Sequence, residues 1–316
     1  MAITMSNRAM REIDKDRTRP ATPLWLAYVL LVLTALFWSG TTIVGRAATG
    51  EIPPFSLTFW RWLMAFVVFI PFGFRPFWAQ RAIYAQYWLR VVGFSFFGIV
   101  GFTISFFFGL QHTTAINGSL LQAAGPVIIV LTSLIVLKLG LSAGEIIGTI
   151  LAIIGSILIV LHGDVMKIGS LEFGLGDIFV VLSMLSWAIY TVSLKWKPQG
   201  LDPLGFIFVL AGLSVPMILP FYLWELSRGQ TFAPSAVNIG LILYTSIFAS
   251  VIAYLFWNES VEIVGPNVAG FSHYLIPVFG TIMSVIILSE TIETYHMIAM
   301  ALIFTGLYLT TRNRTH

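Results

Sequence analysis

LTALFWSGTTIVGR (residues 33–46) and LSMLSWAIYTVSLK (residues 182–195) decide how this chain is read. Laid over each other, Leu33 meets Leu182, Leu36 meets Leu185, Trp38 meets Trp187, Thr42 meets Thr191 and Arg46 meets Lys195. Both stretches are apolar, yet both hold a tryptophan, hydroxyl side chains and a closing basic residue. The echo continues: Pro54 and Pro203 stand at the same offset of 149 (187 minus 38), each opening the next apolar run. At an offset of 151 (277 minus 126), AINGSLLQAAGPVIIVLTS (115–133) lies on PNVAGFSHYLIPVFGTIMS (266–284), and Gly155 on Gly306. The chain reads as a duplicated unit.

The surroundings say what kind of unit it is. Of 316 residues, 58% are hydrophobic and 10% charged, where a soluble protein carries about 25% charge. With a mean hydropathy of +0.91, this is the composition of an integral membrane protein. About 20 apolar residues are needed to cross the hydrocarbon as a helix. Ten segments meet that need: 24–46, 55–73, 87–111, 114–138, 143–162, 176–196, 203–224, 236–259, 264–289 and 293–311. None alternates with the period of two that a barrel strand requires. The fold class expected is all-α, with ten transmembrane helices in two five-helix repeats. Residues 1–23 read as a basic tail, 24–165 and 166–311 as the repeats, and 312–316 as a short tail.

Five is odd, so the second repeat enters the membrane from the opposite side. Inverted repeats of this kind underlie many secondary transporters, with the solute held near the midplane where the halves meet. Lys and Arg set the orientation. With the N-terminus inside, thirteen basic residues fall on the inner side and three (Arg46, Lys167 and Arg228) on the outer. Both termini are therefore expected in the cytoplasm. The first twenty residues are polar and basic, without the apolar core of a secretory signal. The inner loop near Glu259 and Glu262 is acidic, but acidic residues weigh little in this rule.

The repeat, the mid-helix W-x-x-x-T with a basic residue at the helix end, and the late Leu288-Ser289-Glu290 resemble the drug/metabolite transporter superfamily in its EamA-type branch. The LFWSGTTIVGR stretch is most similar to the YddG-type aromatic amino-acid exporters. The resemblance covers residues 24–311. It implies export of amino acids, aromatic ones included, by alternating access across a bacterial inner membrane. One departure stands out: where the family carries a Glu after the fourth helix, matching Glu290, this chain has Lys138-Leu139-Gly140.

The expected substrate-binding residues are Trp38, Thr42, Gln122, Trp187, Tyr190, Asn258, His273 and Tyr274. Trp38 and Trp187 lie well inside their segments, and each indole N–H needs a partner; Thr42 and Thr191 sit one turn away. The alternative is that both tryptophans only pack helices. The remaining tryptophans, Trp62 and Trp257 included, read as the interfacial belt. Gln122 and His273 are repeat equivalents, each four residues before a proline, Pro126 or Pro277. A mid-helix proline kinks the helix and frees the carbonyl at i−4, which can receive a solute or a neighbouring hydroxyl. Ser246, Ser250, Tyr254 and Asn258 make one polar face. His273 is the one mid-span group that titrates near neutrality, so a proton-coupled mechanism would use it; a hydrogen-bonded core histidine is the plainer reading. Arg61 reads as snorkelling outward, with a carboxylate anchor as the alternative.

No catalytic residue is expected. The five histidines are scattered without a metal-ligand spacing, there is no nucleotide loop, and there is no cysteine. No cofactor, metal or nucleic-acid partner is called for. The partners expected are a small solute and membrane lipid. A monomer is compatible with everything in the sequence. Two rivals stay open: a same-fold exporter of other metabolites or quaternary amines, and a membrane sensor or assembly factor without flux.

Overall fold

The structure, a computed structural model, describes residues 23–48, 51–113, 121–138, 140–170, 174–288 and 293–312. Among these residues every regular element is helical. Among the described residues seven stretches are long and apolar enough to cross a membrane: Leu24–Thr41, Pro54–Ala79, Trp88–Leu110, Ala143–Val160, Leu175–Trp196, Pro203–Ser227 and Ala236–Met283. Leu121–Leu137 and Thr294–Thr310 are shorter apolar helices. Isoleucines as exposed as Ile135 (75%) and Ile286 (74%) make an outer surface that only lipid suits.

The helices are numbered in chain order: α1 (Leu24–Ala48), α2 (Pro54–Ala79), α3 (Arg81–Gln86), α4 (Trp88–Ser95), α5 (Phe102–Gln111), α6 (Gly125–Leu137), α7 (Ala143–Val160), α8 (Leu175–Ser193), α9 (Pro203–Ser227), α10 (Ala236–Tyr244), α11 (Ala253–Phe271), α12 (Leu275–Leu288) and α13 (Thr294–Arg312). A π-helical turn, Phe96–Gly101, joins α4 to α5, and a second, Thr245–Ile252, joins α10 to α11. The 48-residue stretch Ala236–Met283 would be about 72 Å long if straight, more than twice the hydrocarbon thickness. It is broken at Gly265, whose φ of 81° and ψ of 165° are not helical. That φ favours glycine, and Pro266 then restarts the helix with its φ already set.

Local sequence fixes where the helices begin. Ser142 and Glu145 form a reciprocal capping box at α7, Ser142 N donating to Glu145 Oε2 at 2.8 Å and Glu145 N to Ser142 Oγ at 3.2 Å. Asp202 caps α9 by accepting from the Leu204 and Gly205 N–H groups. The cap of α2 comes from another helix. Glu225, near the end of α9, accepts from Phe55 N (2.8 Å), Ser56 N (2.6 Å) and the Ser56 hydroxyl (2.8 Å). At the other end Gln80, just past α2, donates to Gly200 O and accepts from Asp202 N. Helices α2 and α9 are therefore antiparallel and tied at both ends.

Packing runs crosswise. The first helix, α1, lies on α11 and α12; α8 lies on α5 and α6. Helices α7 and α13 pack through small residues. A Cβ at Gly155 would stand 2.7 Å from Ala299 O, and one at Gly306 would stand 3.0 Å from Ala152 N. Gly109 likewise meets α8 at the Gly176 carbonyl and Val180.

Candidate functional site

The crosswise packing brings α1 and α8 together at one point, and that point is aromatic. The Trp38 and Trp187 rings meet edge to face at 5.3 Å. Around them stand Trp257, 5.4 Å from Trp38 and 5.5 Å from Trp187, and His273, 4.7 Å from Trp257 and 5.2 Å from Trp38. Tyr254 and Tyr190 close the other side, 5.4 and 5.2 Å from Trp187. Residues from α1, α8, α11 and the 3-10 turn Ser272–Tyr274 thus build one box of rings.

Its edges are polar, and the π-helical turns supply them. A π turn displaces the backbone ladder by one residue and leaves carbonyls open to other donors. In the Thr245–Ile252 turn, the Ala249 carbonyl accepts from Trp38 Nε1 at 3.0 Å and from Arg61 Nη2 at 3.2 Å. Arg61 Nε donates to Ser250 Oγ, which in turn donates to Thr245 O. In the Phe96–Gly101 turn, Gly98 O accepts from the Tyr254 hydroxyl at 2.7 Å and Phe97 O from Ser186 Oγ at 2.9 Å. Tyr190 donates to Asn258 Oδ1 at 2.7 Å.

Several polar atoms here have no protein partner. Trp187 Nε1, Trp257 Nε1, Asn258 Nδ2 and His273 Nδ1 are buried without a hydrogen bond. Leaving such a group unpaired costs about 1–3 kcal/mol. Three of the four are obligate donors. The box is apolar in its walls and rich in donors.

Of the expected site residues, Trp38, Trp187, Tyr190, Asn258 and His273 come together. Tyr274 does not. It turns the other way from the same short helix, into a cluster with Val130, Phe271, Val278 and Ile303, its hydroxyl unpartnered. Gln122 is exposed, unlike its counterpart His273. The Thr42 side chain, together with Asn117, Gly118 and Glu290, lies outside what the structure describes. Pro126 follows a turn at Ala124, and Pro277 follows the 3-10 turn, so each proline marks a real interruption of α-geometry.

Three sequence readings are corrected. Trp257 and Trp62 are not in an interfacial belt; both are fully buried. Trp257 looked terminal because the acidic residues Glu259 and Glu262 suggest a helix end. The helix runs on to Gly265, and Glu262 is paired with Lys197. Trp62 packs edge to face on Tyr254 at 5.2 Å. Arg61 does not snorkel. A charge within a span costs a few kcal/mol, and the open Ala249 carbonyl and Ser250 hydroxyl give its guanidinium an inward alternative. The Trp38 indole is satisfied by that carbonyl. Among the described residues no group of three His, Asp or Glu is placed to hold a metal.

Comparison with known proteins agrees with this architecture. A model of the EamA-like transporter family matches residues 25–161 and again 174–312. The chain is 26% identical over 284 residues to the uncharacterized transporter YetK of Bacillus subtilis, covering 90% of this chain and 86% of that one. It is 28% identical over 290 residues to an uncharacterized transporter of Archaeoglobus fulgidus, covering 90% and 96%. A solved crystal structure superposes with a TM-score of 0.76 at 20% identity, over 91% of this chain and 96% of its own, which speaks to the fold. Neither relative's name specifies a solute, and neither supports the resemblance to aromatic amino-acid exporters. With the family model matched over most of its length, in two stretches, this multi-pass membrane protein belongs to the EamA-like transporter family.

Proposed function

We propose that the chain exports amino acids, aromatic ones included, across a bacterial inner membrane by alternating access, holding the solute in the box formed by Trp38, Trp187, Tyr190, Tyr254, Trp257 and His273. The observation that carries this reading is the conjunction of rings and unpaired donors at the meeting point of α1 and α8. Aromatic walls suit a flat apolar group. Unpaired N–H groups suit the acceptors of a polar head.

The box lies between two halves in this reading. Ten spans, two inverted five-helix repeats and cytoplasmic termini make up the topology proposed. The double match to the family model and the crosswise packing of α1 and α8 support the two halves. The break at Gly265 supports counting Ala236–Met283 as two spans. The Lys/Arg asymmetry supports the orientation, and the Lys197–Glu262 ion pair removes its one discordant loop.

The test is flux in proteoliposomes loaded with labelled phenylalanine, then threonine, with the pH gradient varied separately. Saturable efflux competed by other amino acids is the expected result. No flux of any amino acid from well-folded protein overturns the solute assignment. A dependence on the pH gradient makes His273 the first residue to substitute in search of the proton carrier.

A second reading has one observation in its favour. Boxes of aromatic rings also hold quaternary ammonium groups through cation–π attraction. Choline efflux in the same vesicles distinguishes it.

A further inference from the structure

Among the described residues, Arg61 is the one charged side chain bonded into the rim of the box, and no charged group there answers it. It sits seven residues into α2, about 10 Å beyond Pro54. Its partners are all neutral: Ser250 Oγ, the Ala249 carbonyl, and the face of Trp62 at 5.5 Å. Among the described residues it makes no ion pair. Of the five N–H groups of a guanidinium, two are used by these bonds and three have no partner among the described residues.

Its place relative to the rings is fixed by a shared acceptor. Ala249 O receives both Arg61 Nη2 and Trp38 Nε1. The guanidinium therefore stands beside the Trp38 edge of the box, and Trp62 and Tyr254 continue the wall from Arg61 to Trp187. The same box holds the unpaired donors of Trp187, Trp257 and Asn258, each no more than 5% exposed. Among the described residues no carboxylate contributes to it. A site that is cationic at one edge, and donor-rich elsewhere, is matched by an anion with an apolar body.

We infer that Arg61 is an anion anchor for the transported solute, taking a carboxylate on its free N–H groups while the tryptophans hold an apolar portion. This rests on the box being the solute site. It goes further by naming the residue that receives the solute's carboxylate and sets a preference for anionic over cationic heads. Arginine's planar fork suits a carboxylate in two-point contact, where a lysine would offer only a point charge. The Ser250 and Ala249 contacts act to aim that fork. A purely structural arginine, tying α2 to the Thr245–Ile252 turn, would show no preference among ligands of equal size.

The experiment measures binding to the purified full chain through the change in tryptophan emission. Three probes share a phenyl ring and differ in the head: 3-phenylpropionate (anion), 2-phenylethanol (neutral) and phenethylamine (cation). The intact protein is expected to bind 3-phenylpropionate at least tenfold more tightly than phenethylamine. Arg61→Gln should weaken 3-phenylpropionate by about tenfold or more, the loss of a charged hydrogen bond, while 2-phenylethanol changes less than about twofold. The neutral probe reports that the box is intact in the variant. Arg61→Lys, which keeps the charge, should recover part of the loss. An unchanged ratio of 3-phenylpropionate to 2-phenylethanol affinity in Arg61→Gln overturns the inference, as does a preference of the intact protein for phenethylamine. Failure to bind any of the three overturns it together with the box as a ring-binding site. Absent phenylalanine flux alongside Arg61-dependent 3-phenylpropionate binding removes the amino-acid assignment and leaves the anchor standing.

Discussion

The seam between α7 and α13 and the box between α1 and α8 use opposite materials. At the seam, glycine meets backbone: Gly148, Gly155 and Gly306 leave no room for a Cβ. At the box, the largest side chains in the protein crowd together and leave donors unpaired. Lipid gives helices no hydrophobic reason to associate, so close approach through small residues is how a membrane protein gains packing energy. The seam is built for that. Unpaired buried polar atoms occur elsewhere too, Ser156 Oγ on α7 among them; what sets the box apart is that three obligate donors, on Trp187, Trp257 and Asn258, stand among converging rings.

Substitutions should separate the two regions. The largest effect belongs to the seam. Gly148→Leu puts a side chain against the Gly306 backbone, and the overpacking should cost more than about 3 kcal/mol. Size-exclusion of detergent-solubilised protein should show the monodisperse fraction collapse. Next is Glu225→Ala, which leaves the Phe55 and Ser56 N–H groups at the start of α2 without their carboxylate. A loss of about 2–3 kcal/mol is expected, read as a lower melting temperature. In the box, Trp38→Phe keeps a ring but removes the donor to Ala249 O. One neutral hydrogen bond is worth about 1 kcal/mol of stability, so a small drop in melting temperature is expected, and with a ring still in place flux should stay within about fivefold. The smallest effect is at Gln122. Its side chain is exposed, and Gln122→Ala should leave flux within about twofold, since surface changes stay near ±0.5 kcal/mol. A tenfold loss there would place Gln122 in the solute's path and blur the distinction.

The same contrast explains what could be read in the sequence. Gly155 and Gly306, matched in the sequence alignment of the two stretches, both lie within that seam, Gly155 against Ala299 and Gly306 against Gly148. The Trp38–Trp187 correspondence is also visible in letters, because a tryptophan deep in an apolar run is rare enough to notice. Arg61, Trp62 and Trp257 were not legible as members or neighbours of the box. Sequence places a residue along its helix by composition, and these lie near charges or span ends. What draws them inward is tertiary: the open carbonyl of a π turn, and the Lys197–Glu262 pair that lets α11 run past its acidic residues. Neither π turn has a sequence signature that periodicity would find. Gln122 and His273 show the converse. Their equivalence in the repeat is plain, but only His273 meets the rings. A shared ancestry in sequence does not fix which copy faces the box.

The most direct test of the account is phenylalanine efflux from proteoliposomes carrying Trp187→Ala, normalised to folded protein. Trp187 touches Trp38, Tyr190, Tyr254, Trp257 and His273, so its removal opens the box without touching the α7–α13 seam. The account predicts at least a tenfold loss of flux in protein that inserts and remains monodisperse. Flux equal to that of the unaltered chain would contradict it, and would return the aromatic box to ordinary packing.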